Sequence, residues 1–165
     1  MRLNGLGRAS AKPAGGIVSV ELIAAADFTG AVYNHAGACF TSAETSEPFA
    51  AYVFREDRAA YTEEASGNDG QPLVKHTLKM EFPAGPETDG AVAGLSAAAS
   101  GGFVAIVTTG TGQRLLAGYS VRFGTQYPLR PVKVSSASGS CPSDFPSVTV
   151  TLESTDAEYS KPLKD

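Results

Sequence analysis

The stretch that decides the fold is residues 103–123, FVAIVTTGTGQRLLAGYSVRF. It begins with the unbroken apolar run FVAIV, which is typical of a strand buried on both faces. It continues as QRLLAGYSVRF, in which apolar residues alternate with polar ones, as in a second strand over residues 113–123. The glycines Gly110 and Gly112 lie between the two patterns. They predict the turn of a central β-hairpin.

The same glycines raise a second possibility, a phosphate-binding loop. A P-loop needs a lysine directly after its last glycine, and here Gln113 and Arg114 follow. A dinucleotide-binding loop needs a third glycine and a helix whose N-terminus faces the phosphate, whereas Leu115 stands at that position. The pattern therefore favours a hairpin over a nucleotide site.

Strand patterns dominate the rest of the chain. Alternation over residues 16–25 and 73–82 predicts two further strands with one buried face each, and His76 lies on the apolar face of the second. Residues 49–57 and 59–66 indicate two short strands or one bent one, while residues 26–47 look irregular, with a short strand at FTGAVY (28–33) as the alternative. Residues 127–134, interrupted by prolines, and residues 147–155 predict two edge strands.

One segment changes to helical spacing. Val92, Leu95 and Ala99 recur at helical intervals, which predicts an α-helix over about residues 87–100. Together these elements predict a mainly β protein, a β-sandwich or partly open barrel with one flanking helix. We expect a flexible leader over residues 1–15, a single β-rich domain over 16–156, and a frayed tail over 157–165.

Composition excludes several function classes. The formal net charge is −4, with no basic cluster, which argues against nucleic acid as the main partner. No apolar run is long enough to cross a membrane, and the N-terminus lacks the apolar core of a signal peptide. We therefore expect a cytoplasmic protein that interacts with no membrane. In such a compartment Cys39 and Cys141 should be free thiols, although the sequence does not settle whether they are bonded.

Catalytic patterns are weak. The two histidines, His35 and His76, are far apart in the sequence and have no second metal ligand at a typical spacing. His76 is best interpreted as a core imidazole with one hydrogen bond, while His35 with Cys39 offers only a conceivable nucleophile pair. The sequence thus predicts a protein that is not an enzyme, with no catalytic, cofactor-binding or metal-binding residues and no cofactor.

The order of elements resembles that of bacteriophage tail-tube and related tail or neck proteins, of the kind encoded by prophages of gut bacteria. The resemblance lies in the strand VKHTLKMEF, the helix TDGAVAGLSAAAS, the hairpin at residues 103–123 and the closing SVTVTLESTD. It implies a non-enzymatic structural component that forms rings or other homo-oligomers and contacts other tail or baseplate proteins. Its location would be the cytoplasm during assembly and then the virion or a tail-like particle.

Residues just past the predicted turn and along the Pro-interrupted strand are the candidates for subunit contacts. They are Gln113, Arg114, Tyr127, Arg130 and Lys133. The alternative function is a small-ligand or carbohydrate-binding module, which needs exposed aromatic side chains on a concave surface. The candidates for that role are Tyr52, Tyr61, Tyr119 and Tyr127.

Overall fold

The computed structural model describes residues 5, 15–53, 58–67, 70, 73–156 and 158–164. The predicted leader over residues 1–15 lies almost entirely outside the described residues. The chain forms eleven β-strands and one α-helix within the described ranges. In chain order these are β1 (Ile17–Ala24), a 3-10 turn (Ala25–Asp27), β2 (Phe28–Asn34), β3 (Cys39–Thr45), β4 (Ala50–Val53), β5 (Ala59–Ser66), β6 (Leu73–Pro83), α1 (Pro86–Ala97), β7 (Phe103–Thr109), β8 (Arg114–Ala117), β9 (Arg130–Ala137), β10 (Ser147–Asp156) and β11 (Lys161–Pro162).

Two antiparallel sheets form a sandwich. The first has the strand order β11-β8-β7-β1-β4, and the second has the order β5-β6-β10-β9. Within the described residues neither sheet closes on itself, so the architecture is a sandwich and not a barrel. The prediction of a mainly β fold with one flanking helix is therefore confirmed. The helix was placed well, although it ends at Ala97 and not near residue 100.

The stretch FVAIV is apolar throughout because both faces of β7 are buried. Phe103, Ala105 and Val107 point into the core between the two sheets, where Leu95 of α1 also packs. Val104 and Ile106 point the other way, into a second core beneath the β2–β3 hairpin. The five-stranded sheet is thus the middle layer of three, and both of its faces are buried.

The predicted hairpin forms, but its second strand is shorter than expected. The strands β7 and β8 pair from Thr108 with Arg114 to Ala105 with Ala117. The strand ends at Gly118, whose φ of +83° turns the chain and whose backbone lies against the carbonyl of Phe103. Val121, expected to face the core, is 39% exposed, because the chain has left the sheet before reaching it.

Two other predictions are wrong. Residues 26–47 are not irregular: β2 confirms the alternative of a strand at FTGAVY, and it pairs with β3, which the small polar residues of CFTSAET hid. Residues 147–155 were expected at an edge, yet β10 lies inside its sheet and pairs with β6 on one side and β9 on the other. The Pro-containing strand β9 is at an edge, as predicted.

The C-terminal residues are also ordered differently from the prediction of a frayed tail. Lys161 and Pro162 form β11 against β8, and Leu163 is 4% exposed in the second core. Strand pairing and one buried leucine hold a segment whose composition alone gives little sign of structure. Both cysteines are free, with Cys39 buried and Cys141 exposed.

Candidate functional site

A groove runs beside the edge strand β9. Its volume is about 680 Å³, and it lies between the end of β10, the start of β9 and the loop that precedes β9. Some of the residues that line the groove are apolar, and the others are charged or polar. They are Leu73, Phe123, Gln126, Tyr127, Pro128, Arg130, Val132, Glu153, Ser154, Thr155 and Asp156.

Two anchors position the loop that forms one wall of the groove. The backbone of Leu129, a fully buried residue, exchanges two hydrogen bonds with Phe103, at 2.7 and 2.9 Å. The hydroxyl of Ser154 donates to the carbonyl of Tyr127 at 2.7 Å. The Tyr127 ring stands perpendicular to the Phe123 ring, with centroids 5.3 Å apart. The aromatic wall is therefore held by the sheet beneath it.

Three of the five predicted interface residues lie on this side of the molecule. Tyr127 and Arg130 line the groove, and Tyr127 is 41% exposed. Lys133 is exposed on β9 opposite Thr151 of β10. On the same strand Val132 and Val134 are 55% and 48% exposed. Val132 and Val134 were not among the predicted interface residues, although both belong to the VKV stretch of the predicted edge strand.

The other two predicted interface residues lie on the other sheet. Gln113 is exposed in the β7–β8 turn, and Arg114 approaches Glu21 of β1 with a 3.5 Å N–O distance. Both line a smaller groove together with Pro162, Leu163 and Lys164. The five residues therefore belong to two separate surfaces, because the hairpin and β9 are parts of different sheets.

The predicted tyrosines do not form one aromatic surface. Tyr52 packs on Phe82, with ring centroids 5.6 Å apart. Tyr119 packs within the second core, 5.0 Å from the Phe28 ring. Tyr61 belongs to a polar cluster inside the sandwich. Only Tyr127 of the four is exposed at a groove.

That polar cluster is built around His76, which is 3% exposed. The Nδ1 atom of His76 lies 2.9 Å from the Tyr61 hydroxyl and 3.4 Å from Oε1 of Glu63. Its Nε2 lies 3.0 Å from the carbonyl oxygen of Glu158, which accepts the hydrogen bond. Oε1 of Glu63 also accepts from the Tyr61 hydroxyl at 2.8 Å and from the Ser160 amide at 3.0 Å. The core interpretation of His76 is confirmed, with more partners than the single one expected.

Burial and hydrogen bonding act against each other on this cluster. Burial alone would raise the pKa of Glu63, but hydrogen bonds from His76, Tyr61 and Ser160 outweigh it and hold that pKa below its usual value. Burial also raises the pKa of Tyr61, so its hydroxyl stays protonated and remains a donor. The cluster therefore contains an ionised carboxylate held by donors from β5, β6 and the C-terminal segment.

The cluster was missed in the sequence because its partners are distant from one another along the chain. The alternation of β6 placed His76 on a buried face, but nothing local connected it with Ser160. A carboxylate and a hydroxyl do lie beside His76, but the groove at β9 is lined by other residues. The arrangement joins β5, β6 and the C-terminal segment, and the Ser160 hydroxyl lies 3.4 Å from Nδ1 of His76.

The remaining candidates stay apart. His35 is exposed in the β2–β3 turn, where its ring stands against that of Tyr33 at 4.9 Å, while Cys39 is buried. Gly112 closes the β7–β8 turn through a 2.9 Å hydrogen bond from its amide to the Thr109 carbonyl. Within the described ranges, no three His, Cys, Asp or Glu side chains converge as a metal site would need. The described part of the chain also holds no helix of membrane-spanning length and hydrophobicity.

Comparison with known proteins returns no match: no family model fits the chain, and neither a curated protein nor a solved structure is significantly similar to it.

Proposed function

We propose that this chain is a non-enzymatic structural subunit of a phage tail or tail-like particle, which acts through association with copies of itself and with other tail or baseplate proteins. Its place would be the cytoplasm during assembly and the particle afterwards. The observation that carries the proposal is the outer edge of β9, which meets no other strand among the described residues. Soluble proteins usually protect such an edge, because unpaired N–H and C=O groups recruit other chains.

The chemistry of β9 suits pairing along part of its length. Pro131 and Lys133 are residues that discourage edge pairing, and a bulge at this point displaces Val132. Beyond the bulge, residues 134–137 carry only valine, serine and alanine, all exposed. Small side chains let a neighbouring backbone approach closely. The stretch from Val134 to Ala137 is therefore the segment we expect to pair.

The sheet that carries β9 has features expected of a ring subunit. Its four strands alternate in direction, so β5 and β9, at the two edges, run in opposite directions. Copies related by rotation about an axis along the strands would then pair β9 with β5 in the antiparallel sense, which continues the sheet. Lys133 on β9 would meet Glu64 on β5, and both are exposed on the outer face of the sheet. These charges are complementary.

The outer face of the same sheet is polar. Its residues on the three strands β5, β6 and β10 are mostly threonine, lysine and glutamate: Thr62, Glu64, Lys75, Thr77, Lys79, Thr149, Thr151 and Glu153. A 3.3 Å ion pair between Lys75 and Glu153 crosses it. Such a face suits contact with water, as a sheet that lines a channel requires.

The test is the solution mass of three proteins by light scattering, with electron microscopy for rings. The wild-type chain should associate, and the double variant Val132→Lys, Val134→Lys should remain at 17.0 kDa, since charges block edge pairing. The control is Val53→Lys, because Val53 is 81% exposed on β4 at an edge of the other sheet. A control variant that loses association as completely as the β9 variant would refute the assignment to β9.

The groove supports a second candidate, binding of a carbohydrate or another small ligand. Tyr127 offers an exposed ring, while Arg130 and Glu153 offer hydrogen-bonding groups beside it. A glycan array, followed by titration of a hit against Tyr127→Ala, distinguishes the two functions. Saturable binding that the substitution abolishes, in a protein that stays monomeric, would favour the ligand-binding function over assembly.

A further inference from the structure

The last residues that the structure describes, 158–164, cross from one sheet to the other; we call them the C-terminal strap. Lys161 and Pro162 pair with Leu116 and Leu115 of β8. The Leu163 amide donates to the Arg114 carbonyl, and the Lys164 amide donates to the Phe40 carbonyl, both at 2.8 Å. The strap therefore covers the edge of β8, which would otherwise be the end of the five-stranded sheet.

Apolar contact holds only one point of the strap. Leu163 is its one buried side chain within residues 158–164, whereas Tyr159 is 54% exposed. The rest of the attachment is polar. Its centre is the Glu63 carboxylate, which accepts from the Ser160 amide, together with His76, whose Nε2 donates to the Glu158 carbonyl. One end of the strap is thus attached to an ionised carboxylate, and the other end is attached to the backbone of β8 and Phe40.

Several titratable groups face the cluster. Tyr61 and Glu63 project from β5, and His76 projects from β6. On β10 Ser154 is opposite His76, and Asp156 lies two residues further along the same face. The strap itself brings Glu158, whose Oε2 atom is buried without a hydrogen-bond partner. Acid pH would therefore neutralise the Glu63 carboxylate that holds Ser160.

We propose that the strap reversibly covers the edge of β8. It stays bound while Glu63 is ionised and detaches when Glu63 is protonated or replaced by a neutral residue. The edge of β8 can then pair with a strand from a second copy of this chain. An open β8 edge, 114–117, would offer unpaired backbone groups beside the emptied Leu163 site. The proposal goes beyond the assembly function and does not depend on β9.

Glu63→Gln tests the coupling, with Glu64→Gln as its matched control. Glutamine keeps the shape of the side chain and removes the charge, and Glu64 is the exposed neighbour on the same strand. The readout is amide hydrogen exchange at neutral pH. Protection of Leu163 and Lys164 should fall about tenfold or more in Glu63→Gln, because hydrogen bonds to a charged group are the strong ones. The Leu152 amide, inside β10, should keep its protection.

The control variant should retain wild-type protection at the strap. Unchanged protection in Glu63→Gln, within about twofold of the wild-type protein, would overturn the coupling. The wild-type protein gives an independent measurement that needs no substitution. As pH falls from about 5 to about 3, through the pKa of a free glutamate and towards the lowered pKa of Glu63, strap protection corrected for intrinsic exchange should decline before that of Leu152. If the strap amides and the Leu152 amide lost protection over the same pH range, the coupling between Glu63 and the strap would also be overturned.

The second half of the proposal concerns β8. Glu63→Gln and Glu64→Gln are each introduced into the Val132→Lys, Val134→Lys variant, so that β9 cannot contribute to association. The mass of each protein is measured by light scattering. Glu63→Gln should associate while Glu64→Gln stays monomeric, and the peptide EYSKPLKD, which matches residues 158–165, should reverse the association. If hydrogen exchange shows that the strap detaches in Glu63→Gln while light scattering shows a monomer, the strap does not prevent association through β8, and this half of the proposal is refuted. Failure of the assembly function would show instead in the wild-type mass.

Discussion

Replacing Gly118 by alanine should destabilise the fold far more than the same replacement at Gly112. Both residues have a φ of +83°, so both alanine variants suffer the same left-handed strain. They differ in the space around the new atom. A Cβ at Gly118 would lie 2.6 Å from the Phe103 carbonyl oxygen and 3.2 Å from the Leu129 amide nitrogen. At Gly112 nothing lies within 4 Å.

The expected sizes follow from these contacts. Left-handed strain costs an alanine about 1–2 kcal/mol, and the lower entropy of the unfolded chain returns about 0.4–1 kcal/mol. Gly112→Ala should therefore cost about 1 kcal/mol. Gly118→Ala adds an overpacking cost of about 1–3 kcal/mol. It also weakens the paired hydrogen bonds between Phe103 and Leu129, at about 0.5–1.5 kcal/mol each. Its total should be about 3–7 kcal/mol.

Urea unfolding followed by circular dichroism gives the free energy of unfolding of both variants. Equal losses, to within about 0.5 kcal/mol, would refute the close backbone approach at Gly118. The comparison also bears on the glycine-rich turn. A small loss at Gly112 is expected of a residue that only turns a hairpin.

Four further substitutions or titrations test other contacts. Leu163→Ala should cost about 2–3 kcal/mol of unfolding free energy by urea titration, because it empties a buried site, and a loss below about 1 kcal/mol would contradict docking of the strap. Ser154→Ala should cost about 1–2 kcal/mol because it leaves the Tyr127 carbonyl without its donor, and an unchanged midpoint would count against that anchor. Since the pKa of Glu63 is lowered in the folded state, its stabilising contribution should be complete above the pKa of a free glutamate and be lost as pH falls through the folded value. Glu63→Gln should flatten that part of the stability profile, whereas a profile identical to the wild type would contradict it. The Asp144 carboxyl accepts from the Ser140 and Cys141 amides, which lower its pKa to about 2, and carbon-detected NMR should show no titration near pH 4.

Local patterns in the sequence determine much of the fold. The alternation of β6 and the unbroken apolar run of β7 report directly on how many faces of each strand are buried. Pro131 correctly indicates an edge strand, since proline lacks the N–H that a central strand must donate. These signals act within one element, so a single sequence carries them.

The errors have a common cause, since they depend on what lies next to an element. Nothing within SVTVTLEST tells whether β9 covers its second edge. Likewise, YSKPLK (159–164) is weakly apolar, and it becomes ordered because β8 and the Glu63 carboxylate supply partners from distant parts of the chain. For the same reason, only some of the predicted interface residues lie on the groove side of the molecule. Tyr127, Arg130 and Lys133 share a surface, and Gln113 and Arg114 do not join it.

The measurement that tests assembly through β9 most directly is the solution mass of the wild-type chain beside the Val132→Lys, Val134→Lys variant, over a range of concentrations. Association through the exposed edge of β9 predicts a wild-type mass that rises to a multiple of 17.0 kDa, and a variant that stays at 17.0 kDa. A wild-type protein that remains at 17.0 kDa at the highest concentration, or a variant that associates equally well, would contradict it.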